Sequence, residues 1–144
     1  MQDLPHHYAV NAHARSEGDV TLGAAGVPPL ASCPPPEFGG PEGYWSPESL
    51  LTAAVADCFV LSFRAIARAS KLDWQTLDCD VTGVLDRVEG RLRFTGFSIT
   101  ARLAITDAAA EAKAAKLLDK AEANCLVSAS LSAPVALRSE IRIA

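Results

Sequence analysis

Between Trp45 and Lys71 the chain carries a helix-length run that is apolar on nearly every side. Ser46, Pro47 and Glu48 read as N-cap, first helical residue and first-turn acid. Behind them come Leu50, Leu51, Ala53, Ala54, Val55, Ala56, Cys58, Phe59, Val60, Leu61, Phe63, Ala65, Ile66, Ala67 and Ala69. At about 100° per residue these positions point in almost every direction, and a helix that is apolar all round is buried all round. Asp57, Arg64 and Arg68 interrupt the run too closely for a membrane span. The pattern predicts a long central buried helix from Pro47 to about Ser70. In a chain of 144 residues, one domain's worth over 1–144, a partner subunit helps to cover it.

The remaining segments predict an α+β fold with antiparallel sheets. His7 to Arg15 and Val20 to Leu22 form a hairpin around Ser16, Glu17, Gly18 and Asp19. Gly23 to Tyr44, with Pro28, Pro29, Pro34, Pro35, Pro36 and Pro41, reads as an extended loop of the kind that is often functional or mobile. Leu77, Cys79, Val81, Gly83 and Leu85 alternate with polar residues as a half-buried strand. The next strand opens in one phase with Leu92 and Phe94 and continues in the other with Phe97, Ile99, Ala101, Leu103 and Ile105. A one-residue slip flips every side chain, so a bulge is expected near Gly96. Asp107 caps a second helix from Ala108 to about Asn124, with Ala110, Ala114, Leu117, Leu118 and Ala121 on one face. Ala129 to Ala133 suggest a further turn before Pro134, and Val135, Leu137, Ile141 and Ile143 alternate as a last strand.

Charge and composition narrow the function. A net charge of -4 and a pI near 5.3 argue against a nucleic-acid surface. Met1 to Tyr8 lack the basic start and apolar run of a leader, which points to a cytoplasmic, reducing home. Four cysteines there are core or redox residues rather than structural bridges. Cys79 sits on the apolar phase of its strand, and Cys33 lies incidentally in the proline loop. Cys125 stands where the second helix breaks, a position open to solvent or to another chain. Cys58 is packing filler or reagent, and the residues alone leave both open. His6, His7 and His13 lack the companions and spacing of a metal site. There is no phosphate-cradling glycine loop, dinucleotide fingerprint or elbow serine.

Two motifs carry a resemblance. Ser46-Pro47-Glu48-Ser49-Leu50-Leu51 followed by Ala54-Val55-Ala56-Asp57-Cys58-Phe59 resembles the central helix of the OsmC/Ohr family of thiol-dependent peroxidases. Lys120-Ala121-Glu122-Ala123-Asn124-Cys125-Leu126-Val127-Ser128 resembles the segment holding that family's second cysteine. The resemblance implies an OsmC-like fold, an intertwined homodimer and reduction of organic hydroperoxides. It implies that Cys58 is the peroxidatic cysteine and Cys125 the resolving one, with Arg15 and Glu48 activating the thiol. It implies no bound cofactor, only an external dithiol reductant of the dihydrolipoyl type. The chemistry is coherent: a thiolate attacks the peroxide, a cation offsets burial of the thiol, and a second thiol condenses with the sulfenic acid. Ten residues of helix, about 15 Å of rise, separate Glu48 from Cys58, so Glu48 is expected to serve a partner's thiol or to act through Arg15. The alternative reading is a non-catalytic family member that binds a small apolar ligand in the dimer-interface pocket.

Overall fold

A computed structural model describes residues 1–144. They form two compact units, Met1–Leu50 and Leu51–Ala144.

The first unit is built on a three-stranded antiparallel sheet, β1 (Asn11–Ala14), β2 (Val20–Gly23) and β3 (Leu30–Ser32), in that order. The expected hairpin is present, with His13 opposite Thr21. The proline-rich stretch, expected as one extended loop, is more ordered than that. Leu30 to Ser32 pair with Leu22 to Val20 as β3, and Pro36–Phe38 make a 3-10 turn. Proline forbids ladder donors only where it stands, and Leu30, Ala31 and Ser32 lie between the prolines. The Cys33 amide then donates to the Trp45 carbonyl at 2.9 Å, which leaves Cys33 buried. Gly40 is required in this turn: a Cβ there would stand 1.7 Å from the Pro34 carbonyl oxygen.

Ser46 closes the first unit and starts helix α1 (Pro47–Ala69). Its hydroxyl accepts the Ser49 amide at 3.1 Å, and the Ser49 hydroxyl accepts the Ser46 amide at 2.9 Å. This is a capping box with serine in both places.

The second unit sets most of α1 with a sheet in the order β4 (Thr76–Val88), β5 (Arg91–Ile105), β6 (Val135–Ile143). β4 and β5 are an antiparallel hairpin closed by Glu89 and Gly90, both at positive φ. The expected bulge is present: Val84 pairs with Gly96 and Leu85 with Phe94, so Thr95 is the extra residue. Beyond it Phe97, Ile99, Ala101, Leu103 and Ile105 are buried in one phase. β6 departs from the antiparallel expectation, for it runs parallel to β5, with Leu137 beside Ile99. The reason lies in the crossover between them. The 3-10 turn Ala108–Ala110, helix α2 (Glu111–Ala123) and the single turn α3 (Leu126–Ala129) carry the chain back, so β6 starts opposite Phe97 and ends opposite Ile105.

The core joins three layers of side chains: Val55, Phe59, Phe63 and Ala67 from α1, the inner face of β5, and Ala114, Leu117, Leu118 and Ala121 from α2. Asp107 caps the second segment by accepting the Ala109 amide at 2.9 Å. Phe63 meets Trp74 edge to face with centroids 5.4 Å apart.

The helix expected to be buried all round is buried here along one stripe. Leu61 stays 49% exposed, and Leu51, Val60 and Ile66 are only half-buried. One small sheet and one helix cover a single face. By length and composition alone α1 is apolar enough to cross a membrane, a test that the core helix of a soluble protein passes equally.

Candidate functional site

Cys58 stands in the middle of α1 and Cys125 at the break after α2, and the structure brings the two thiols near enough for each to shift the other's ionisation. Both are free thiols. Cys58 is half-buried in the single chain, whereas Cys125 is 1% exposed. That burial corrects the expectation that Cys125 stands in the open. The Cys125 amide donates to the Glu122 carbonyl at 3.2 Å, and Cys125 becomes the residue that opens α3. This turns its side chain inward instead of leaving it on a frayed helix end.

The pair is electrically asymmetric. Burial first, and then the neighbouring Cys125 thiol, push the Cys58 thiol above the ordinary value. Burial also opposes ionisation of Cys125, yet its net shift is downward. The thiol of Cys58, the hydroxyl of Ser128 and the amides of Ser128 and Val127 together outweigh burial there. Cys125 is therefore the more acidic of the two thiols and Cys58 the less acidic.

Two hydroxyls frame the sulfurs. Ser62 Oγ lies 4.0 Å from Cys58 Sγ, one helical turn along α1. Ser128, three residues beyond Cys125, has its hydroxyl oxygen sealed from solvent with no hydrogen-bond partner. Sequence reasoning missed both; serine spaced three or four residues from each cysteine on a helix was the available signal. A cavity of about 340 Å³ opens beside Cys125, lined by Glu122, Ser128, Leu131, Ser132 and Pro134 among others.

The other named residues fall elsewhere. Arg15 follows β1 in the first unit, fully exposed at a cleft it shares with His13, Glu17 and Asp19. Glu48 is half-buried in the first turn of α1. Arg64 and Arg68, the other cations of α1, are exposed. Cys79 is half-buried against the core, where burial, and then the charge of Asp80, push its thiol up to about 11.

The fold agrees with the comparisons. A family profile described as OsmC-like protein matches residues 39–140, and the chain belongs to that family. It is 29% identical over 114 residues to the uncharacterized protein YmaD of Bacillus subtilis strain 168, covering 76% of this chain and 75% of that one. Its fold is similar to an OsmC-like protein of unknown function from Vibrio cholerae, with a TM-score of 0.84, 17% identity and coverage of 94% and 100%. It is similar also to an organic hydroperoxide resistance protein from Legionella pneumophila, with a TM-score of 0.76, 22% identity and coverage of 98% and 100%.

Proposed function

We propose that this protein is a cytoplasmic, homodimeric thiol peroxidase that reduces organic hydroperoxides. The observation that carries the reading is the meeting of two free thiols, Cys58 and Cys125, delivered by separate helices. Family membership and the Legionella relative named for organic hydroperoxide resistance support it.

Cys58 is the peroxidatic residue because it is the accessible one of the two. Its thiolate attacks one peroxide oxygen, the O–O bond breaks, and the alcohol leaves, with Cys58 oxidised to the sulfenic acid. Cys125 then forms the disulfide and water departs. An external dithiol of the dihydrolipoyl type returns both cysteines to thiols. The first step needs the negative charge on Cys58, whereas the pair makes Cys125 the more acidic thiol. Arg15, with Glu48 to orient it, supplies the cation that moves the proton the other way. Apolar surroundings on α1 favour organic hydroperoxides over hydrogen peroxide.

The test is mass spectrometry after one equivalent of cumene hydroperoxide. Cys58→Ser abolishes peroxide consumption. Cys125→Ser gives one turnover and a sulfenic acid on Cys58 that drifts to the sulfinic acid. If neither thiol reacts faster than free cysteine, the peroxidase reading fails and the ligand-binding alternative replaces it.

A further inference from the structure

A serine inside a helix has a ready partner in the carbonyl four residues back, which its hydroxyl reaches along the helix wall. Ser130 takes that course and donates to the Leu126 carbonyl at 2.7 Å. Ser62 differs: its Oγ lies 4.0 Å from the sulfur of Cys58, the side chain four residues back. Helical side chains lean towards the N-terminus, so a residue one turn further on comes to lie over the earlier one. Between a neutral thiol and a hydroxyl either atom can donate. Once the thiol has ionised that choice disappears, because a thiolate only accepts and the hydroxyl is the donor.

We propose that Ser62 is a further catalytic residue, its Oγ–H donating to the Cys58 sulfur and holding the thiolate that meets the hydroperoxide. The proposal rests on the peroxidase reading and adds a residue to its first step. In that step an electron pair of the thiolate forms the S–O bond and the O–O bond breaks. Sulfur is oxidised to the sulfenic acid and the peroxide is reduced. The alkoxide leaves as the alcohol, with the proton that the thiol gave up. Ser62 keeps its own proton, so nothing beyond the thiol and the hydroperoxide is consumed.

This sulfur has need of a donor. Burial, and then Cys125, raise the Cys58 thiol, while the Val127 amide and the Ser62 hydroxyl act in the other direction. Cys125 is the titratable group that faces Cys58 from another element. On α1 itself the charged neighbours Asp57 and Arg64 are exposed to solvent. Both partners of the Ser62 contact belong to one turn of α1, so it is in place whatever covers the helix.

Two measurements on Ser62→Ala and Ser62→Thr test the idea. The first uses no peroxide: the rate at which iodoacetamide alkylates Cys58 against pH, read by mass spectrometry on the peptide that carries Cys58. In Ser62→Ala the rate at neutral pH falls about threefold or more, the profile moves to higher pH, and the two proteins converge once both thiols are ionised. Ser62→Thr keeps the hydroxyl and returns towards wild type. A side chain that only packed would give no loss that vanishes at high pH. The second is the stopped-flow rate of the first reaction with cumene hydroperoxide, which falls in Ser62→Ala by the same factor at neutral pH. An alkylation profile unchanged in Ser62→Ala overturns the proposal, as does a moved profile with an unchanged peroxide rate. If the profile moves and the wild-type protein consumes no hydroperoxide, the Ser62 contact stands and the peroxidase reading is what falls.

Discussion

Cys58 in α1 and Cys125 at the start of α3 lie near enough to shift each other's ionisation, and the half-exposed Cys58 is the less acidic of the two. Reaction with a peroxide at Cys58 then requires a charge from outside this pair. The predictions begin there.

On the peroxidase reading, Arg15→Ala slows the first reaction with cumene hydroperoxide by about tenfold or more, because a cation that favours a thiolate is worth at least one pKa unit. Its rate-against-pH profile shifts to higher pH, since the thiolate fraction of Cys58 falls. Arg15→Lys recovers part of the rate. Stopped-flow kinetics over pH 5 to about 9 decide it; an unchanged profile removes Arg15 from the site.

Leu61 lies 49% exposed on the face of α1 that the sheet leaves uncovered. Contiguous apolar exposure of this kind marks an interface. Sedimentation at micromolar concentration is expected to give twice the chain mass, and Leu61→Glu to give the chain mass. A folded wild-type monomer at that concentration would end the dimer reading.

Cys79 gives stability a measurable pH slope. Its folded-state value, about 11, stands above the ordinary 9.0. Unfolded chains therefore lose this proton first as pH rises. The contribution of the neutral thiol is fully present below pH 9.0 and is lost between there and about 11. Urea midpoints are expected to fall across that window, and to fall less in Cys79→Val. Equal slopes in both proteins would contradict the burial described here.

Phe63→Ala removes a fully buried ring from the meeting of α1 with Trp74. The expected cost is about 3–5 kcal/mol, the range for aromatic truncation in a core. Trp74 emission shifts to the red as water reaches its ring. Denaturation followed by fluorescence reads both effects.

Much of the fold was legible because its signals are local. The switch of apolar phase between Phe94 and Phe97 announced the extra residue at Thr95, and Asp107 announced the cap it makes. What was not legible depends on other parts of the chain. Alternation in β6 gives a buried face but not a direction, and direction came from the α2–α3 crossover. The apolar run of α1 showed how much surface wants cover, not how much one sheet supplies. β3 was hidden because prolines on both sides mask a short paired segment. At the site the two cysteine motifs were readable as motifs. The inward turn of Cys125 was not, because it follows from a single helical turn starting at Leu126, three residues earlier than the sequence suggested.

The parallel seat of β6 also sets an order of assembly. Cys125 borders a cavity whose far wall is Pro134 and Val135, and the Pro134 carbonyl is pinned by the Phe97 amide at 2.9 Å. That wall cannot exist until β6 has been synthesised and has slid in beside β5, closing the long segment 106–134. A ribosome delivers both sulfurs before it delivers the strand that seats them. During that interval the nascent chain carries two ordinary thiols with no fixed partner. The wall beside Cys125 is thus completed only by the docked strand, not by either helix.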